Sequence, residues 1–354
     1  MKIIHCADLH LDSKMESNLD REAASMRRDE LLDTFERMVT YAAENEVRVI
    51  LIAGDLFDKP NVRKVAKTRV IEQIKQHPEI DFCYIRGNHD QLDFVEELTE
   101  QEDITNLKLF GTDEWTSYDY GDVVITGMEL VKENSQTLGM NLVLDQNRLN
   151  IVALHGQESD YQGSDRTEMV NLSMLRNKYI DYLALGHIHT YKYCYSGCLE
   201  GRGFDECGEK GFVLLEVEEG KIHTQFVPIA KRLLHEVCVE VDPSMDMAAI
   251  VQKARECVAG ISSEDLIKII VTGETNIDTD IDCDRLRRNL NLDFFFIKVY
   301  DRTSVQIDYE SFRNDKSLKG EFVRLMERQD MSEDERAAII ELGMKAIMGE
   351  DIEV

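Results

Sequence analysis

Two histidines stand one residue apart in the stretch ALGHIHTYKY, residues 184–193, after a short apolar run and a glycine. Because the faces of a β-strand alternate with every residue, His187 and His189 can point the same way. Paired imidazoles at the end of a strand indicate a metal site, and a polar loop with two incidental histidines is the alternative. The rest of the chain must decide between these two interpretations.

Other polar residues follow apolar segments in the same manner. They are Asp8 and His10 in ADLHLDS, Asp55 in AGDLFDKP, Asn88, His89 and Asp90 in RGNHDQ, and His155 in ALHGQES. The carboxyl ends of strands are where ligands collect in an open α/β sheet. Five of the nine histidines occupy such positions, which scattered surface histidines would not do.

These side chains have the chemistry of a centre for two divalent metal ions. Imidazole and carboxylate together suit Mn²⁺, Fe or Zn²⁺, and none of these requires cysteine. Two ions about 3.5–4 Å apart need a bridging carboxylate and roughly six or seven protein ligands. The candidate ligands are Asp8, His10, Asp55, Asn88, His155, His187 and His189.

The elements that position these residues alternate between strand and helix. Apolar runs predict strands at 2–7, 47–55 and 82–87. Apolar residues at helical spacing predict helices at 21–45 and 62–76. This alternation is typical of an α/β core.

After residue 105 the pattern changes to strands with short connections. Residues 212–229 predict a β-hairpin that turns at Glu219-Gly220. The first 230 residues are therefore expected to mix parallel and antiparallel strands.

A second α/β pattern covers residues 235–310, and residues 316–349 are predicted to be helical. Ser332 with the acids after it is typical of a helix N-cap. Two apolar stripes mark the helices: Leu318, Phe322, Leu325 and Met326, then Ile340, Met344, Ile347 and Met348. The predicted parts are a main domain at 1–232, a small α/β domain at 233–312 and a helical segment at 313–354.

The formal net charge is −28, from 41 basic and 69 acidic residues. This argues against a protein that coats nucleic acid with its whole surface, but not against a nucleic-acid enzyme that uses metals and a local basic patch. The N-terminus lacks the pattern of a secretory signal, and no apolar run reaches the length of a membrane span. We therefore expect a cytoplasmic protein without a membrane partner.

Eight cysteines occur without a C-x-x-C pair, and we expect reduced thiols. Cys194, Cys198 and Cys207 lie close in sequence, so a structural zinc is an open alternative there.

Five motifs occur in order within residues 8–189: DLH, GDLFD, GNHD, LHG and GHIH. They resemble the five signatures of the calcineurin-like metallophosphoesterase superfamily. Within it, ADLHLDS resembles the SbcD-like DNA repair nucleases, and residues 196–217 resemble their bacterial YhaO-type branch. The resemblance implies an α/β (α+β) fold, a four-layer sandwich of two mixed sheets flanked by helices, with a small α/β capping domain and C-terminal helices.

The resemblance also implies a role for each candidate residue. One ion would be held by Asp8, His10 and His189. The other would be held by Asn88, His155 and His187. Asp55 would bridge the two ions.

His89 would not be a ligand under this resemblance; it would meet the phosphate and protonate the leaving oxygen. Asp58 would orient and charge His89, as carboxylates do for imidazoles in other general-acid pairs. Some relatives carry histidine at the position of Asp58, where this chain has a carboxylate. Asp90 is assigned to loop structure rather than chemistry.

A basic segment, KPNVRKVAKTR at 59–69, begins four residues after Asp55. Its Lys59 and Arg63 are candidates to guide a DNA backbone, and an ordinary solvated helix face is the alternative. Tyr191 and Lys192 follow the GHIH motif and either contact substrate or pack.

The resemblance implies a metal-dependent DNA exonuclease and endonuclease of double-strand-break repair, with Mn²⁺ favoured and Fe or Zn²⁺ as alternatives. It implies DNA and an SbcC-like ABC-type coiled-coil ATPase as partners, with 316–349 a candidate docking element, and it leaves a homodimer open. One alternative is a phosphatase or phosphodiesterase for a small nucleotide or phosphoprotein. Another is a non-catalytic metal-binding scaffold subunit.

Overall fold

The computed structural model describes residues 1–15, 19–58, 62–90, 94, 104–131, 133–135, 137–158, 169–276, 281–290, 294–306, 312 and 315–348. The chain divides into two compact units, Met1–Leu234 and His235–Val354.

The first unit contains a six-stranded mixed sheet. Its strands are β1 (Lys2–Cys6), β2 (Val47–Ala53), β3 (Asp81–Ile85), β4 (Leu107–Leu109), β11 (Gly211–Glu218) and β12 (Lys221–Pro228). The strand order is β12-β11-β1-β2-β3-β4, with β1 to β4 parallel and β11 antiparallel to both β1 and β12. The predicted hairpin is confirmed, because Glu219 and Gly220 have φ of 50° and 72°, as a two-residue type I′ turn requires.

A second, four-stranded sheet has the order β10-β7-β6-β5. Its strands are β5 (Thr116–Tyr120), β6 (Val123–Gly127), β7 (Leu149–His155) and β10 (Tyr182–Gly186). The strands β6, β7 and β10 are parallel, and β5 is antiparallel to β6. The short strands β8 (Gln157–Glu158) and β9 (Met169–Val170) pair beside a 3₁₀ helix at Leu172–Leu175.

The two sheets face each other across one apolar layer. Ile3, Val49 and Ile85 of the first sheet share a buried cluster with Ile125 and Ile151 of the second. The mixed sheets flanked by helices agree with the predicted α/β sandwich.

Helices α1 (Arg21–Glu44) and α2 (Lys64–Gln76) cover the outer face of the first sheet. Helix α1 begins at Asp20, whose side chain accepts a hydrogen bond from the backbone of Ala23. Leu31 and Phe35 of α1 share a buried cluster with Val70 of α2 and with strand residues of the first sheet.

Helix α1 also carries part of a buried salt-bridge network formed by Arg27, Glu30, Glu200 and Arg232. Arg27 contacts Glu30 at 2.7 Å and Glu200 at 3.1 Å, and Arg232 contacts Glu30 at 2.9 Å. This network joins α1 to segments about 170 and 200 residues further along the chain.

The second unit contains a three-stranded sheet of order β13-β14-β15, with β14 and β15 parallel. Its elements are β13 (Leu234–Val241), α3 (Met247–Cys257), β14 (Leu266–Asn276), α4 (Cys283–Leu290) and β15 (Phe296–Gln306). Ile250 of α3 and Leu286 of α4 are buried with Ile267 and Ile297 of the sheet. The chain's division into three predicted parts stays a prediction.

Helices α5 (Leu318–Glu327) and α6 (Glu333–Met348) pack through Val323, Ile340 and Met344. The predicted stripe on α5 divides, because Leu318 and Leu325 are exposed. The helix is turned so that Val323 is buried instead. The predicted N-cap of α6 is confirmed: the hydroxyl of Ser332 accepts from the backbone N–H of Glu335. The side chain of Met348 lies outside the described part of the chain.

Within the described residues, no helix combines the length and apolar character needed to cross a membrane.

Candidate metal centre

Strand ends from both sheets meet at the candidate centre. Asp8 and His10 follow β1, and Asp55 follows β2. Strand β2 ends at Ala53, two residues earlier than predicted, because Gly54 and Asp55 have positive φ. His155 is the last residue of β7. The remaining candidates follow β3 and β10: Asn88, His89, His187 and His189.

The first group of donors contains Asp8, His10 and His189. One donor atom from each lies within 4.8 Å of the others. His10 Nε2 is 3.2 Å from His189 Nε2, and His189 Nε2 is 4.0 Å from a carboxylate oxygen of Asp8. Asp8 and His10 are buried.

Asp55 lies between this group and a second group that contains His155 and Asn88. Its Oδ2 is 3.7 Å from His10 Nε2 and 3.4 Å from His155 Nε2. His155 Nε2 is also 3.3 Å from the amide oxygen of Asn88. A carboxylate between two clusters of donors is placed as a bridging ligand must be.

His187 joins the site through its ring and its backbone. Its ring centroid is 5.4 Å from that of His155. Its backbone N–H donates to both carboxylate oxygens of Asp8, at 2.8 and 2.9 Å. The structure therefore brings together all seven predicted ligands.

The donor set fits divalent cations. The Nε2 atoms of His10 and His189 face each other at 3.2 Å, so at most one proton can lie between them. The buried carboxylates of Asp8 and Asp55 carry charge that needs compensation. His10 Nδ1 is buried without a hydrogen-bond partner.

The pKa values of the centre reflect this crowding. Burial raises the pKa of Asp8. Burial alone would also raise the pKa of Asp55, but the hydrogen bond and charge of His155 hold it well below its usual value. Burial would lower the pKa of His155, and the contact with Asp55 outweighs this and raises it to about 10. A cation that binds His155 must therefore displace a proton.

His89 and Asp58 form a pair beside the centre. His89 Nδ1 is 2.9 Å from Asp58 Oδ1, and the ring centroid of His89 is 4.8 Å from that of His10. The hydrogen bond to Asp58 raises the pKa of His89. Because Nδ1 is hydrogen-bonded to Asp58, Nε2 is the ring nitrogen that can contact a substrate. The His89 side chain is 40% exposed, which is enough for a substrate to reach it.

Asp90 holds the loops of the centre together. Its carboxylate accepts hydrogen bonds from the backbone N–H groups of Leu56, Phe57 and Gly87. The assignment of Asp90 to loop structure is confirmed.

The backbone at the centre is unusual. Asp8, His10, Asp55 and His187 all have positive φ, a conformation that costs free energy in residues other than glycine. A Cβ atom at Gly54, which also has positive φ, would lie 2.1 Å from His155 Nδ1. Glycine is required there because the imidazole lies against the backbone.

Two functional candidates were missed by sequence reasoning. Glu206 Oε1 is 2.6 Å from His189 Nδ1, and Arg202 lies 3.0 Å from Glu206 and 3.8 Å from Asp58. Both belong to the segment that follows β10, where no residue spacing indicates a return to the centre.

The predicted substrate contacts have mixed surroundings. Arg63 contacts Asp12 at 2.5 Å and Asp29 at 2.8 Å, so its guanidinium joins other segments of the first unit. Lys59 lies outside the described residues. The ring of Tyr191 stacks on a neighbouring aromatic ring at 4.6 Å, and the backbone of Lys192 forms a bridge with Tyr195. Substrate binding by these four residues stays a prediction.

All eight cysteines lie among the described residues and none of them forms a disulfide; their reduced state stays a prediction. Among the described residues, the clusters able to hold a metal contain only aspartate and histidine.

The sequence model of the calcineurin-like phosphoesterases matches residues 1–191. The chain is 28% identical to the uncharacterized metallophosphoesterase YhaO of Bacillus subtilis, over 72% of this chain and 67% of that protein.

It is 29% identical to the DNA double-strand break repair protein Mre11 of Sulfurisphaera tokodaii, over 53% of this chain and 49% of that protein. The match thus spans about half the length of that relative. A crystal structure of a Thermus thermophilus protein matches 64% of this chain and 98% of its own, at a TM-score of 0.42 and 12% identity.

Proposed function

Because this chain belongs to the calcineurin-like phosphoesterase family, we propose that it is a two-metal phosphodiesterase that cleaves DNA, as an SbcD-like repair nuclease of the YhaO type. The observation that carries the proposal is the proximity of seven imidazole, carboxylate and amide side chains beside the partly exposed His89–Asp58 pair. This arrangement can bind two cations and place an acid next to them.

The chemistry divides between the cations and the chain. Two bound divalent cations would offset the negative charge of a phosphodiester and lower the pKa of an attacking water. His89 holds a proton on Nε2 for the departing oxygen. Asp58 fixes the ring through Nδ1 and stabilises its protonated form.

Two observations support DNA as the substrate over a small phosphate ester. The first is the similarity to proteins named for DNA double-strand break repair. The second is the separate unit at His235–Val354, for which a small-molecule phosphatase has less use. Mn²⁺ is our proposed cofactor, and the same ligands would also accept Fe or Zn²⁺.

We further propose that α5 and α6 dock on the coiled coil of an SbcC-like ABC-type ATPase. Four large apolar side chains of these helices are exposed, namely Leu318, Leu325, Ile339 and Leu342. Exposed apolar residues on a helix suit a helix-in-groove contact. A homodimer and a cytoplasmic location stay predictions.

The docking is tested with Leu325→Glu and Leu342→Glu, which should abolish ATPase binding and spare metal-dependent hydrolysis. Val65→Glu is the matched control, since Val65 is an equally exposed apolar residue on α2 of the first unit. Retained binding in both helix variants would remove the docking proposal.

The nuclease is tested by cleavage of end-labelled duplex DNA with Mn²⁺, beside mononucleotides and p-nitrophenyl phosphate. His89→Ala should lose DNA cleavage by about 10²- to 10⁴-fold, the usual contribution of a general acid. His77→Ala is the matched control, because His77 also contacts a carboxylate, that of Glu79.

Cleavage of the small substrates alone would contradict the nuclease proposal and favour a phosphatase or small-nucleotide phosphodiesterase. Metal binding without any hydrolysis, even with the ATPase present, would indicate a scaffold subunit.

A further inference from the structure

One segment, residues 196–210, holds both the backbone and the ring of His189. The ammonium of Lys210 donates to the carbonyl oxygen of His189 at 2.8 Å, and the backbone N–H of Cys198 donates to the same oxygen. Glu206 Oε1 is 2.6 Å from the ring nitrogen Nδ1. The segment therefore contacts this candidate ligand at both ends.

Burial and hydrogen bonds to Arg202 hold the carboxylate of Glu206 in place. Its side chain is 7% exposed. Its Oε2 accepts the backbone N–H of Arg202 at 2.7 Å, and its Oε1 accepts from the guanidinium of Arg202 at 3.0 Å. A buried carboxylate with these contacts has little freedom to turn away from His189.

The hydrogen bond to Glu206 selects the tautomer of His189. Nδ1 must carry the hydrogen, because an ionised carboxylate can only accept. The guanidinium of Arg202 lies 3.1 Å from the same nitrogen, but a protonated Nδ1 cannot accept from it, so that donor serves Glu206. The lone pair is then on Nε2, the atom that faces His10 and Asp8.

Arg202 also reaches the pair that holds the general acid. Its Nη1 is 3.8 Å from Asp58 Oδ2, while the other oxygen of Asp58 is bonded to His89. One guanidinium thus lies between the carboxylate that orients His189 and the carboxylate that orients His89.

We propose that Glu206, supported by Arg202, is a positioning residue that sets the tautomer and orientation of His189 and thereby the affinity of the centre for its metal. The inference rests on the metal centre of the proposed function and not on DNA as the substrate. Carboxylates that bind the second nitrogen of a metal-ligating histidine have this effect in other metal sites.

The test is calorimetric titration of the metal-free full chain with Mn²⁺, without substrate. Glu206→Ala should weaken Mn²⁺ binding by about 10- to 100-fold. Glu206→Gln should lose less, because its amide oxygen still accepts from Nδ1. Arg202→Met should also lose less than Glu206→Ala, because it leaves the carboxylate in place.

Asp265→Asn is the matched control and should bind Mn²⁺ as the wild type does. Asp265 is a buried carboxylate in the second unit, 2.8 Å from the ring of His235, so it has the same type of contact without a candidate ligand. Thermal unfolding of each variant shows whether it is folded, and Glu206→Gln serves if Glu206→Ala is not.

A second measurement separates positioning from general stability. The ¹⁵N chemical shifts of the His189 ring should report a single Nδ1–H tautomer in the metal-free wild type and a mixture in Glu206→Ala. Wild-type affinity and an unchanged tautomer in the Glu206 variants would overturn the inference. Graded Mn²⁺ affinities without DNA cleavage would overturn the nuclease and leave this inference standing.

Discussion

Two buried clusters of charge lie in the first unit, and they balance that charge differently. In the salt-bridge network, Glu30 and Glu200 contact the guanidinium of Arg27. In the candidate metal centre, Asp8 and Asp55 meet imidazoles and backbone N–H groups. A metal cation can displace the proton of an imidazole and bind the nitrogen lone pair, whereas a guanidinium group offers no such lone pair.

This difference separates the salt-bridge network from the candidate metal centre. Burial and acidic residues are common to both clusters, so neither property identifies the site. The partner of the carboxylates distinguishes the two clusters. Carboxylates paired with guanidinium groups form a salt-bridge network, whereas carboxylates beside imidazole nitrogens form a centre that can accept metal ions.

The largest effect should come from breaking the closed network. Arg27→Met would leave two buried carboxylates without their shared partner, and we expect a loss of about 3–5 kcal/mol in the free energy of unfolding. Arg37→Met is the control, since Arg37 touches Glu200 from a half-exposed position at 3.5 Å. Chemical denaturation measures both variants, and equal losses would contradict a closed network centred on Arg27.

Added Mn²⁺ should raise the free energy of unfolding through the candidate metal centre and not through the salt-bridge network. Mn²⁺ at about 100 times its dissociation constant should raise the free energy of unfolding by about 2.7 kcal/mol. Asp55→Asn should lose most of this gain, because Asp55 lies between both donor groups. Denaturation in Mn²⁺ and in a chelator gives the difference, which Arg37→Met should preserve. An undiminished gain in Asp55→Asn would argue against a bridging carboxylate.

The network should instead respond to acid. Burial would raise the pKa of Glu30, but hydrogen bonds from Arg232, Arg27 and Lys231 outweigh it and hold the pKa below the usual 4.5. The stability that Glu30 contributes is therefore present above about pH 4.5 and is lost as pH falls through the lower folded value.

Glu30→Gln removes this titration. The stability gap between wild type and Glu30→Gln should be widest near neutral pH and should narrow below about pH 4.5. Denaturation curves at several pH values check this, and a gap that stays constant into acid would contradict the assignment.

The smallest effect should come from a surface pair. Arg69 of α2 contacts Glu36 and Asp33 of α1 at 2.6 and 2.8 Å. Both pairs are solvent-accessible, so Arg69→Gln should cost about 0–1 kcal/mol. A loss as large as that of Arg27→Met would show that burial does not separate the two classes of ion pair.

The sequence predicted the part of the centre that depends on strand ends. Parallel strands put their carboxyl ends on one edge, so polar residues after β1, β2 and β3 had to meet. His155 and His187 follow the same rule in the second sheet.

The parts that depend on distant segments were not predictable. Glu206 reaches His189 from a segment without regular spacing, and Glu200 meets Arg27 across 173 residues. The basic character of Arg63 indicated substrate, which stays a prediction, and it did not indicate the contacts of its guanidinium with Asp12 and Asp29. The charge of a residue indicates the kind of group it can bind, but only the fold shows which such groups lie within contact distance.

The positive φ values at Asp8, His10, Asp55 and His187 have a consequence for protein engineering. Grafting the seven candidate ligands onto an ordinary helical or strand scaffold would not reproduce the directions of their side chains, since four of the residues have backbone angles that regular elements do not offer. A transplant would need the loops themselves, including Gly54, which leaves room for the ring of His155.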